Sequence, residues 1–155
     1  METILEIATQ LRKRAETIAP ELYLDTDLGG MCVMCSIVLG HILKSLDFDC
    51  KIVEGTYKID YHCWVVFDKF IIDITATQFP EFKNTPITIL PSGHHSYNRE
   101  REIPFHKNLS GYIDYLSCQY FYSIEGMCHE KKVLSKLRRG IGHERHKNKR
   151  STASK

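Results

Sequence analysis

An α+β fold, with N-terminal helices packed on an antiparallel β-sheet and further helices at the C-terminus, is predicted by the order of three patterns along the chain. Apolar residues first recur twice at helical spacing. Short segments rich in β-branched and aromatic residues then follow one another, and helical spacing returns after residue 110.

The first helix is read from Ile4, Ile7, Leu11 and Ile18, set among charges and followed by Pro20. "DTDLGG" (25–30) is a loop whose two glycines permit tight turns. Cys35, Val38, Leu39, Ile42 and Leu46 then mark a second helix of about four turns, burying one face and ending at Asp47–Asp49. "CKIVEGTY" (50–57), "YHCWVVF" (61–67) and "FIIDIT" (70–75) read as strands, with "KIDY" connecting the first two, and "PITIL" (86–90) as a shorter fourth. Residues 91–108 are polar and His-rich and read as a long loop; "SGHHSYN" (92–98) lies within it, near the cleft. "GYIDYLSCQYFYSI" (111–124) and "CHEKKVLSKLRRGI" (128–141) read as helices.

With 155 residues the chain is expected to form a single domain over 1–140, followed by a basic, disordered tail over 141–155. Residues 1–130 carry 11 basic and 18 acidic side chains and residues 131–155 carry 10 and one, so a body near −7 is joined to a tail near +9. Such a tail would attract a nucleic acid, an acidic protein or a membrane surface through salt-dependent contacts, though no base-reading motif or aromatic stacking platform accompanies it. Apolar runs such as "IVLGHIL" are too short to cross a bilayer, which takes about 20 residues. The N-terminus lacks the basic and apolar regions of a secretory signal, so a cytoplasmic, reducing location is expected. The six cysteines are scattered rather than framed for disulfides, and most of them are expected to be buried small hydrophobes.

The hairpin "YHCWVVFDKFIIDITATQF" (61–79) carries the chemistry. With Asp68 and Lys69 as a two-residue turn, Phe67 faces Phe70, Val65 faces Ile72, Trp64 faces Asp73 and His62 faces Thr75. Alternation sends Cys63, Val65, Phe67, Phe70, Ile72 and Ile74 to the core face. It leaves His62, Trp64, Val66, Ile71, Asp73 and Thr75 on the other. His62 and Asp73 are diagonal neighbours there, so the carboxylate can fix the imidazole tautomer and stabilise the imidazolium. The matching nucleophile is Cys32, which follows Gly29, Gly30 and Met31 at the first turn of the second helix. Unpaired backbone N–H groups and the helix dipole favour a thiolate at that position and can hold an oxyanion.

"GGMCVMCSIVLGHILKSLDFDCKIV", "YHCW" and "IIDIT" together resemble the core of the transglutaminase-like branch of the papain-like cysteine hydrolases, over about residues 29–79. The family pattern falls on Gly30, Cys32 and Ser36, on the corner Leu46–Asp49, on His62 with Trp64, and on Asp73 with Thr75. The resemblance implies a papain-like fold, a Cys32–His62–Asp73 triad and no cofactor or metal. It further implies a protein or peptide substrate, attacked at an amide through a thioacyl intermediate that water resolves in a peptidase or deamidase, or an amine in a transamidase. Trp64 would wall the site. Gly30, Tyr23 and Gln78, the last in a Gln-Phe pair seen in bacterial relatives, would contribute to substrate binding. Asp47 and Asp49 replace the usual Gly and Pro of the corner, and the 11-residue step from His62 to Asp73 implies a minimal hairpin. For the oxyanion donor, which the family places upstream of its cysteine, only Tyr23 and Thr26 are at hand.

Several of these motifs have a competing reading. Cys35 is a rival nucleophile but falls on the apolar stripe, and "CVMC" as a redox pair lacks the preceding strand that thioredoxin-like topology needs. "CH" (128–129) with "HERH" (143–146) has zinc-ligand types at no known zinc spacing. The alternative at the level of function is a catalytically silent module of the same fold, docking an acidic partner or nucleic acid through its tail.

Overall fold

The structure, a computed structural model, describes residues 1–22, 24–120 and 124–141. Helix α1 (Glu2–Ile18) buries Ile4, Ile7, Ala8, Leu11, Ala15 and Ile18 as one stripe and gives way to a 3-10 turn over Ala19–Leu22. Helix α2 (Cys32–Ser45) is buried almost all round rather than on the single face expected. The reason is its central place: β1 and β2 lie against it, and so do α1 and α4. Its end has the hydrogen bonds of a Schellman motif, with Phe48 N–H donating to Leu43 O and Asp47 N–H to Lys44 O, each at 3.1 Å. Asp47 sits at φ 64°, the left-handed conformation that glycine fills elsewhere, so the missing corner glycine leaves the turn itself unchanged.

Strands β1 (Cys50–Tyr57), β2 (Asp60–Phe67), β3 (Phe70–Asp73), β4 (Thr88–Pro91) and β5 (Tyr97–Ile103) form one antiparallel sheet in the order β4-β3-β2-β1-β5. The β2–β3 register pairs Phe67 with Phe70 and Val65 with Ile72, as alternation requires. Helices α3 (Leu109–Tyr120) and α4 (Ile124–Arg138) follow. Among the described residues no helix is long and apolar enough to cross a membrane.

Two expectations are corrected. The third strand stops at Asp73 instead of running to residue 75, because the Asp73 side chain itself accepts the Thr75 N–H at 2.8 Å and turns the chain out of the ladder. Short 3-10 turns over Ala76–Gln78 and Pro80–Phe82 follow. The supposed loop of residues 91–108 contains β5, which pairs with β1 at the sheet edge. Only Tyr97 and Ile103 of "YNREREI" are buried, so the apolar alternation of a strand is absent. Its charges are matched across the sheet instead: Lys51 Nζ reaches Glu102 at 2.8 Å, and Arg101 pairs with the buried Glu54. A polar edge of this kind resists pairing with other chains.

The sheet carries a core on each face. One face joins Ile52, Cys63, Val65, Ile72, Ile74 and Ile103 to the helices; the other gathers Val53, Tyr57, Trp64, Ile71, Phe79 and Tyr97 beneath the 3-10 turns. The second cluster arises because residues 76–82 fold back over the face that carries His62.

Gly55, at the irregularity where β1 meets β5, has no room for a side chain, since a Cβ there would lie 2.0 Å from the Asn98 carbonyl oxygen. Gly55→Ala should therefore push β5 from the sheet and cost about 2 kcal/mol or more in urea unfolding. Unchanged stability would mean that β5 is not held at this distance.

Candidate active site

Where β3 turns away, β2 loses its neighbour beyond the pair Val65–Ile72. Helix α2 takes up the vacated position: Ser36 Oγ donates to the Cys63 carbonyl at 2.9 Å, fastening the helix start beside His62. Cys32 is the first residue of α2, one turn before Ser36. The preceding loop reaches it through Gly30 at φ 80°, a conformation glycine adopts without strain. Gly30 thus shapes the entry to the helix.

His62 Nε2 lies 2.5 Å from Asp73 Oδ2, with both side chains essentially inaccessible to solvent. The ring's other nitrogen is Nδ1, and Cys32 is near enough to favour the protonated ring. Asp73 takes three further hydrogen bonds: from Thr75 N–H at 2.8 Å and Thr75 Oγ1 at 3.0 Å on Oδ1, and from Tyr97 OH at 2.9 Å on Oδ2. With His62 this makes four partners, about the full capacity of a carboxylate. Trp64 stacks on His62 with centroids 6.1 Å apart, while the Phe79 ring stands edge-on at 4.9 Å. Gln78 is half-buried; its Nε2 lies 3.3 Å from His62 Nδ1 and donates to Thr75 O at 2.9 Å.

The electrostatics follow from that packing. Burial works against the imidazolium, but the Asp73 charge and hydrogen bond, with smaller contributions from Cys32, outweigh it and push His62 up to about 9. Burial would raise Asp73; His62 above all, then Thr75 and Tyr97, hold it below its ordinary value. Burial pushes the Tyr97 phenol up, as does the Asp73 carboxylate, so Tyr97 remains a donor. The Cys35 and Cys63 thiols are fully enclosed and pushed up by burial, which makes them poor nucleophiles.

Of the residues singled out from the sequence, Cys32, His62, Asp73, Trp64 and Gln78 come together here. Tyr23 lies outside the described residues, as does the tail from residue 142, which includes "HERH". Thr26 is exposed, and its carbonyl accepts from Arg12 Nη2 at 3.1 Å. Among the described residues no three His, Cys, Asp or Glu side chains form a metal-binding group. Tyr97 and Phe79 were missed. Tyr97 stood in a segment without strand periodicity, and Phe79 gave no signal beyond its place after Gln78.

The floor of the site is tied to α1. Buried Arg12 donates through Nη1 to Ile74 O and Thr77 Oγ1, each at 2.7 Å, and through Nη2 to Thr26 O. One guanidinium thus joins the segment after Asp73 to the loop before Cys32.

No family model, curated protein or solved structure matches this chain in comparisons of sequence and fold.

Because His62 is raised in the folded chain from 6.5 to about 9, its contribution to stability is complete below about pH 6.5 and is lost as pH rises through 9. Asp73 is lowered, so its contribution holds above about 3.8 and is lost as pH falls through its depressed value. The stability difference between the wild type and His62→Gln, from urea melts, should shrink by on the order of 3 kcal/mol between pH 6.5 and 9. A difference constant over that window would contradict the charged pair.

Proposed function

We propose that this chain is a thiol enzyme of transglutaminase-like type that acts on amide bonds of a protein or peptide. The observation that carries the reading is the setting of His62: Nε2 is held by Asp73 at 2.5 Å, and Cys32 lies near enough to favour the charged ring. Nucleophile, base and orienter thus stand in the sequence a triad requires.

Cys32 Sγ attacks the carbonyl carbon, and the C–N bond breaks as His62 gives a proton from Nδ1 to the leaving amine or ammonia. A thioester remains on Cys32. Water then adds to it while His62 takes the proton, and the acid departs; a primary amine in place of water yields a new amide. Asp73 keeps the ring in the required tautomer and stabilises its charge. The six cysteines, all unpaired, fit a reducing compartment.

The test is chemical. Brief iodoacetamide treatment near pH 6, read by mass spectrometry, should modify buried Cys32 at least about tenfold faster than exposed Cys118 and Cys128, and His62→Ala should abolish that preference. Modification of Cys118 and Cys128 first, with Cys32 untouched, would favour the silent binding module.

A further inference from the structure

We propose that Gln78 is the oxyanion donor of this site, contributing its Nε2–H to the carbonyl oxygen of the group attacked by Cys32. The assignment rests on the thiol-enzyme reading above and names a residue downstream of Asp73 in the chain rather than one upstream of Cys32.

The geometry sets three conditions, and Gln78 meets each. The first is identity of the amide end, since nitrogen and oxygen of a carboxamide are otherwise interchangeable in outline. The Thr75 carbonyl can only accept, and the Gln78 atom 2.9 Å from it must therefore be the nitrogen. One N–H is spent there, and the second is left for the site.

The second condition is position. A tetrahedral centre bonded to Cys32 Sγ must lie within reach of His62 Nδ1, which supplies the proton to the leaving nitrogen. Gln78 Nε2 is 3.3 Å from that same Nδ1, so its free N–H borders the space the reacting carbonyl occupies. The Cys32 backbone N–H, in the first turn of α2 with no acceptor inside the helix, is a second donor on the residue that carries the attacking sulfur. Two donors converging on one oxygen is the arrangement that stabilises such an anion.

The third condition is availability at the right moment. When His62 is neutral, as it is after giving its Nδ1 proton to the leaving group, the Gln78 N–H points at the Nδ1 lone pair. Once Nδ1 is protonated, as it is when the tetrahedral anion exists, it can no longer accept. The Gln78 N–H is then released to the substrate oxygen in the one protonation state where that oxygen is charged.

Rigidity and access complete the case. Gln78 ends the 3-10 turn that begins at Ala76, Phe79 behind it is buried, and Arg12 holds Ile74 and Thr77. The Gln78 side chain is half-buried, so a substrate arriving from solvent meets it.

Two reagents separate this role from a structural one. p-Nitrophenyl acetate acylates a thiolate through a tetrahedral oxyanion and expels p-nitrophenolate; iodoacetamide alkylates the same thiolate by displacing iodide, and no oxyanion forms. Gln78→Ala and the near-isosteric Gln78→Met, each checked by thermal melting, should lower the rate of the p-nitrophenolate burst by about 10²-fold or more. Cys32 alkylation should stay within about threefold of wild type. Equal loss in both reactions would mean that Gln78 acts on the Cys32–His62 geometry, and no loss in either would mean that it makes no contact with the oxyanion; each overturns the assignment. A wild-type Cys32 inert to both reagents would instead remove the enzyme reading on which it stands.

Discussion

The structure around the site is organised by one requirement: an aspartate 1% exposed and a histidine fully buried must keep their charges satisfied without water. An ion in such a place costs several kcal/mol unless every lone pair finds a donor. Asp73 meets that cost with partners from three parts of the chain: His62 from β2, Thr75 from its own turn and Tyr97 from β5. Each partner explains an otherwise odd feature. β3 is cut short so that Thr75 can turn back, and a charged edge strand is recruited so that one phenol can reach the carboxylate. A buried ion pair is no more stabilising than apolar side chains of the same volume. Its presence beside the second apolar cluster is accounted for by the chemistry proposed for the site.

The second constraint is the junction at which β2 runs beyond β3. A freed strand edge inside a protein exposes backbone groups that must be paired. Ser36 pairs the Cys63 carbonyl, and in doing so sets the N-terminus of α2 against the strand that carries His62. Arg12 secures the other boundary by gathering the carbonyls of Ile74 and Thr26 and the Thr77 hydroxyl, and the same hydroxyl donates to Asp27 O at 2.7 Å. Loops that would otherwise move independently are joined through charge-assisted hydrogen bonds, about twice the strength of neutral ones. The Cys32 loop and the Asp73 turn therefore form one unit.

Much of this was legible in the sequence because it follows from periodicity. Period-two alternation through a two-residue turn was enough to place His62 and Asp73 on one face and Cys63 on the other. The spacing of Ile4, Ile7, Leu11 and Ile18 likewise defined α1. β5 was hidden because "NRERE" is charged on both faces, its pairing being backbone and ionic rather than apolar. A trace of it was present all the same: Gly55, in the middle of β1, marks the close approach of another backbone. The second aromatic cluster was equally hidden, since Tyr57, Phe79 and Tyr97 come together only when residues 76–82 fold over the sheet.

The influence of Cys32 on His62 connects this packing to the two halves of the proposed reaction. Cys32 favours the protonated imidazole, though less than Asp73 does. Before acylation this favours an imidazolium, the form able to protonate a departing amine, whose expulsion is the harder part of breaking an amide. After acylation the sulfur is bonded to carbon and can no longer carry charge. That contribution would then be lost, and burial, which opposes the imidazolium, would count for more. In the proposed reaction His62 would thus be a better base for activating water or an amine. In the proposed reaction Asp73 would hold the ring through both steps, and Cys32 would favour its protonated form only in the first.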